Sequence, residues 1–216
     1  MRRCLLPPIP EFALAADLLA GAADALLAGD RETCATRLVA ADMRPLRDFH
    51  HRVAGPLSLE IHLQLRAPKF TPVPKENRPR MPNGSASMEI MKRDGFRCRF
   101  CESRVIIKEA ASIFNHFVPE AARLGSTNET RHFALGTITA SIDHIVPYCR
   151  GGTNAPDNLL TACGPCQYGR NNFTLAELDL TNPFDYPPID DGWDGLTRLL
   201  GAKPKRRPVK RSESVG

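Results

Sequence analysis

Apolar residues in the first quarter of the chain recur at helical spacing. Phe12, Ala16, Leu19, Ala23 and Leu26 repeat every three or four positions and predict a helix over Pro10–Leu27, with Pro10 in its first turn. Gly29 reads as its stop and Asp30 as the N-cap of a second helix over Arg31–Met43, which Pro45 ends or kinks before Leu46–Val53. Leu57–Leu65 then alternates apolar and polar residues for nine positions, the period of a strand, with His62 on its polar side. Prolines, scattered charge and Asn83-Gly84 make Ala67–Ser85 a linker. Beyond it, Ser87–Asp94 reads as a short helix stopped by Gly95, and Val105–Phe117 as another. Phe117–Thr139 is a polar insert with turn signals at Gly125-Ser126 and Asn128. Ile138–Val146 is β-branched and strand-like, Arg150–Asn154 a turn, Leu159–Thr161 a return strand, and the residues from Pro165 or Cys166 to Asn172 a helix. Phe173–Leu180 adds an amphipathic turn or two, and the acidic stretch after Pro183 reads as loop.

Composition narrows the class. The 216 residues are 42% hydrophobic and 25% charged, as in a globular protein, while 6% aromatics and 19 prolines disfavour a large sandwich or barrel. No apolar run is long enough to span a bilayer, so no membrane partner is expected. The apolar start is broken by Pro7, Pro8 and Pro10 and followed by Glu11 and Asp17, which argues against a secretory leader and for a cytoplasmic location. The net charge of +5 is concentrated: Lys203–Arg211 holds six of the 29 basic residues and no acid, and Arg66–Arg80 holds five against Glu76. Two basic, proline-rich arms suit phosphate backbones.

Seven cysteines without a leader argue against a disulfide framework. Four of them form pairs, Cys98-x-x-Cys101 and Cys163-x-x-Cys166, whose spacing fits a four-thiolate structural zinc site with each pair on its own knuckle. Between the pairs stand Asp143-His144, Gly151-Gly152 and Asp157-Asn158. Histidine can take a proton from water near neutral pH, and a carboxylate suits a hard divalent ion such as Mg²⁺ or Mn²⁺, which is the equipment for cutting a phosphodiester. On an extended strand neighbouring side chains point to opposite faces, so adjacency alone does not place Asp143 and His144 on one site. The other three cysteines, and His50, His51, His116 and His132, have no ligand spacing and read as structural or surface residues.

The ordered set of D-H-I-V-P, R-G-G, D-N-L and C-x-x-C, led in by IMKRDGFRCRFC, resembles the HNH endonuclease family, nucleases built on a ββα-metal motif, over Ser87–Leu180. The resemblance implies an α+β fold: a small zinc-stabilised ββα core with flanking helices and an N-terminal helical segment. It also implies roles: His144 as general base, Asp143 as ligand of a catalytic divalent ion, and Asn158 as the side chain that steadies the loop holding the histidine. The family's third element is His or Asn directly after the last knuckle cysteine. Here it is Gln167, a departure, with Asn171 four residues on, on the same helical face. Arg150 and Arg170, and Arg97 and Arg99 around Cys98, are candidate phosphate contacts. The expected organisation is a helical segment (1–55), a strand and basic linker (56–86), the nuclease-like domain (87–182), and a loop with a basic tail (183–216). DNA is the expected partner, and residues 10–53 are a surface for a protein partner or self-association. The alternative is a zinc-stapled nucleic-acid-binding module that does not cut.

Overall fold

The computed structural model describes residues 1–54, 71–74, 79–127 and 129–202. The strand expected at Leu57–Leu65, residues 67–70 and 75–78 of the linker, Asn128 and the basic tail lie outside them.

Helix α1 (Glu11–Leu27) buries Phe12, Ala15, Ala16, Leu19, Ala22, Ala23 and Leu26, a stripe narrow enough in side-chain volume for close packing. Gly29, at a φ of +82°, ends it, and the Asp30 carboxylate accepts the Thr33 N–H at 2.9 Å to cap α2 (Arg31–Ala41). The chain then breaks at Asp42-Met43, and Pro45 sits in the first turn of a separate helix, α3 (Arg44–Ala54). Leu46, Phe49 and Val53 of α3 face the core, where Phe49 meets Phe12 edge-on at 5.1 Å.

Helix α4 (Gly84–Arg93) runs into Gly95 at a φ of +64°. Its C-cap, Asp94, is buried and accepts the Thr161 backbone N–H at 2.7 Å, tying α4 to the sheet. Helix α5 is Lys108–Phe117, shorter than expected, because Ile106 bridges Thr139 in extended conformation first. The insert expected to be irregular contains a helix, α6 (Phe133–Ile138). His132 caps it, its Nδ1 accepting the Leu135 N–H at 3.3 Å while its Nε2 contacts the Leu38 carbonyl at 2.8 Å, so this histidine is structural.

Strands β1 (Ser141–His144) and β2 (Leu159–Ala162) form an antiparallel pair with Ser141 opposite Ala162 and His144 opposite Leu159. Helix α7 (Gly164–Arg170) follows at once, which completes a ββα unit and the α+β class expected. One hydrophobic cluster runs from Leu5 through α1–α3, β2 and α7 to Leu199. The helical N-terminus and the cysteine-rich region therefore share a core. A Cβ on Gly169 would come within 2.6 Å of the Val53 carbonyl, so glycine is what lets α7 lie against α3. Residues 183–202 are not a bare loop either: Leu196 and Leu199 are buried, and Trp193 donates its Nε1–H to the Val105 carbonyl at 2.8 Å.

Candidate active site and zinc centre

The two knuckles converge. One sulfur from each of Cys98, Cys101, Cys163 and Cys166 lies within 4.8 Å of every other, and Cys101 and Cys163 are 3.7 Å apart. A tetrahedral zinc with Zn–S bonds of about 2.3 Å sets its sulfurs roughly 3.8 Å apart, so the cluster fits that ion. Hydrogen bonds from Cys163, Cys166 and Cys98 pull the Cys101 thiol well below its ordinary value, while Cys163 and Cys166, the donors to that incipient thiolate, are held well above theirs. A cation there would stabilise all four as thiolates.

On the other side of the same helix lies an open cleft of about 720 Å³. Of the expected catalytic residues, Asp143, His144 and Gln167 line it, as does Asn171, expected only as a metal ligand, whereas Asn158 does not. Their contacts separate the roles. Asn154 accepts from the His144 ring, its Oδ1 2.9 Å from Nε2, while its Nδ2 donates to the Pro79 carbonyl at 2.9 Å. A backbone carbonyl only accepts, so the amide orientation follows, and with it the tautomer: His144 carries its proton on Nε2 and keeps Nδ1 as the basic nitrogen. Asn158 staples the loop between the strands, accepting the Val146 N–H at 2.8 Å and donating to the Thr153 carbonyl at 2.8 Å. That loop closes tightly on Gly152, where a Cβ would fall 1.7 Å from the Val146 carbonyl oxygen.

Asp143, also at the cleft, is bound by Arg170. The guanidinium has five N–H donors, and all five find acceptors: Asp143 Oδ2 at 2.9 Å and Oδ1 at 2.7 Å, the Ile145 and Phe173 carbonyls at 3.2 and 3.0 Å, and the His144 carbonyl. Arg170 is 1% exposed, so it is a clamp between β1 and α7, and the expected phosphate contact is corrected. The other three candidate arginines also have internal partners. Arg97 pairs with Asp191 at 2.6 Å, Arg99 donates to the Pro183 carbonyl at 2.6 Å, and Arg150 pairs with Glu177 at 3.0 Å and donates to the Asn172 carbonyl. Arg97 and Arg104 together hold the Asp191 carboxyl well below the usual carboxylate range. The ordered C-terminal stretch supplies the acceptors for Arg97 and Arg99.

Can the cleft hold a divalent ion? Asp143 accepts two bonds from Arg170 and one from the His144 N–H, which leaves one of about four lone-pair positions open. Gln167 spends its Nε2 on the Ile142 carbonyl at 3.3 Å, leaving its amide oxygen as a second hard donor. A Mg²⁺-like ion keeps most of its waters and needs one or two protein oxygens plus substrate phosphate, so the residues fit it, though Arg170 offsets part of the carboxylate's charge. Asn171, the exposed C-cap of α7 at a φ of +49°, lies at the same mouth.

A family model described as HNH endonuclease matches residues 131–172, from the residue before His132 to two residues beyond α7. Over this segment the chain is similar to the HNH endonuclease family. No curated protein and no solved structure matches the chain. The HNH match spans β1, β2 and α7, while the four-cysteine cluster extends the unit to the first knuckle, outside the matched residues. Among the described residues, no helix is long and apolar enough to cross a membrane.

Sequence reasoning missed three side chains at the HNH cleft. Asn154 stood inside a turn with nothing to distinguish it from a turn former. Arg131 belonged to the insert. His50 came from α3, read as a surface or capping residue, yet it lines this cleft, and burial pushes its pKa down to about 4. Only the packing of α3 on α7 brings it there.

Proposed function

We propose that this protein is an endonuclease that hydrolyses DNA phosphodiester bonds with a divalent cation at Asp143 and Gln167 and a structural zinc in the knuckles. The observation that carries the reading is the His144–Asn154–Pro79 hydrogen-bond chain, which leaves Nδ1 as an acceptor for a water proton in an open cleft. The cation, when bound, offsets charge developing on the phosphate and leaving oxygen. The chain's own residues do the rest. His144 takes the proton at Nδ1, Asn154 holds the ring, Asn158 holds the loop that presents it, and Arg170 fixes the spacing of β1 and α7.

A second reading has its own support. Gln167 replaces the family's His or Asn, and Asp143 is already matched by Arg170, both of which favour a zinc-stapled module that binds nucleic acid without cutting. Supercoiled plasmid incubated with zinc-loaded protein and Mg²⁺, Mn²⁺ or no added divalent ion separates the two. Divalent-dependent nicking supports the enzyme; salt-sensitive binding without product on plasmid, single strands or RNA supports the module.

A further inference from the structure

A second hollow, about 310 Å³, adjoins the His144 cleft, and the two share three lining residues: Arg131, Gln167 and Tyr168. Tyr168 is 62% exposed, unusual for an aromatic on a seven-residue helix that is otherwise mostly buried. Its ring is backed by His50, with centroids 6.1 Å apart and planes inclined by 28°. His50 is itself half-buried on α3 and neutral at physiological pH, because burial disfavours its charged form. The outward face of Tyr168 is thus supported from behind and fixed to a helix. Arg131 commits its Nε–H to the Gly125 carbonyl at 3.2 Å, with no other hydrogen-bond acceptor for its guanidinium among the described residues. Lys108 lines the far end of the hollow and is exposed. No carboxylate among the described residues lines the second hollow, and the one in the cleft, Asp143, is balanced by Arg170.

We infer that the second hollow is a binding track for single-stranded DNA flanking the scissile phosphate, with an unpaired base stacked on Tyr168 and phosphates met by Arg131 and Lys108. A track that leaves the catalytic cleft over an aromatic platform, edged by cations and free of acids, has the two features sequence-independent strand binding requires. A base inside a duplex keeps both faces covered by its neighbours, so the platform serves an unpaired one. The inference rests on the His144 cleft being the cutting centre for its biological meaning, but its test does not require cutting.

The experiment measures binding of a fluorescent oligothymidine strand, and of a duplex of the same length, to zinc-loaded full-length protein in a His144→Ala background. Tyr168→Ala is expected to weaken single-strand binding about tenfold, Tyr168→Phe by less than about twofold, with duplex binding unchanged in both. Lys108→Gln is expected to reduce the slope of log affinity against log salt by about 0.7 for the single strand. Because Tyr168 is exposed, the variants should keep their zinc and thermal transition, which is checked first. Single-strand affinity unaltered by Tyr168→Ala, or a duplex weakened equally, would overturn the inference. A plasmid assay showing no cleavage would leave the binding result standing and would count against the proposed function instead.

Discussion

Two faces of α7 do opposite things with the same kind of raw material. Toward the first knuckle, Cys163 and Cys166 complete a set of four sulfurs that saturates a tetrahedral ion and leaves no position for substrate. Toward β1, Gln167 and Asp143 leave donor positions open at a cleft. The difference teaches that closure marks structure and incompleteness marks chemistry: the residues that finish their bonding internally hold the fold, and those that do not face the substrate. The arginines obey the same division. Arg97, Arg99, Arg150 and Arg170 are committed to internal acceptors, Arg170 while lining the cleft, whereas Arg131 at the cleft spends only its Nε–H internally.

The largest effect that would test this division is at the closed face. Cys163→Ser should lose zinc and on the order of 5 kcal/mol or more of stability, enough to abolish the cooperative thermal transition of a marginally stable chain, read by zinc stoichiometry and circular dichroism. A variant that stays folded without metal would mean that the packed core, not the ion, holds the knuckles.

Next is the Arg170 clamp. Arg170→Met leaves the buried Asp143 carboxylate unbalanced and should cost about 3–5 kcal/mol in denaturant unfolding. Arg170→Lys should recover only part of this, since an ammonium has three donors for five acceptors. If Arg170→Met is as stable as wild type, the clamp assignment fails.

At the open face, Asn154→Leu should lower kcat by about 10- to 100-fold with KM little changed, because the ring loses its orientation while substrate contacts remain. Asn154→Asp should restore part of the rate and move the acid limb of the pH–rate profile to higher pH, since a carboxylate favours the imidazolium. A purely structural role would leave that limb where it is.

A further effect concerns acid. An unfolded histidine takes up its proton near pH 6.5, whereas His50 in the fold does so only near 4. Between those values the unfolded chain binds more protons, so stability is whole above about pH 6.5 and falls as pH drops toward 4. Burial lowers His132 in the same sense. The loss attributable to His50 should be on the order of 3 kcal/mol, and His50→Gln should flatten the profile of melting temperature against pH.

The sequence carried the local features well where one residue dictates one geometry. Gly29 and Asp30 end and begin helices as read, Cys98, Cys101, Cys163 and Cys166 meet, and the β1–β2–α7 order follows the D-H, D-N and C-x-x-C signals. What it could not carry were partnerships made at long range. Helix α6 is six residues with a glycine inside and a histidine cap, so neither length nor a usual cap residue announces it. The inward turn of Arg97 depends on Asp191, 94 positions away. His50 reaches the cleft only because Gly169 allows α3 and α7 to touch.

The central claim is that His144 is the base of a nuclease site. It is tested most directly by comparing wild type and His144→Ala, both zinc-loaded and folded, on supercoiled plasmid with Mg²⁺ or Mn²⁺. The account predicts nicking by wild type and a loss of about 10²- to 10⁴-fold in the variant, with zinc content and melting temperature retained. Equal cutting by the variant, or no cutting by wild type on any nucleic acid offered, would contradict it.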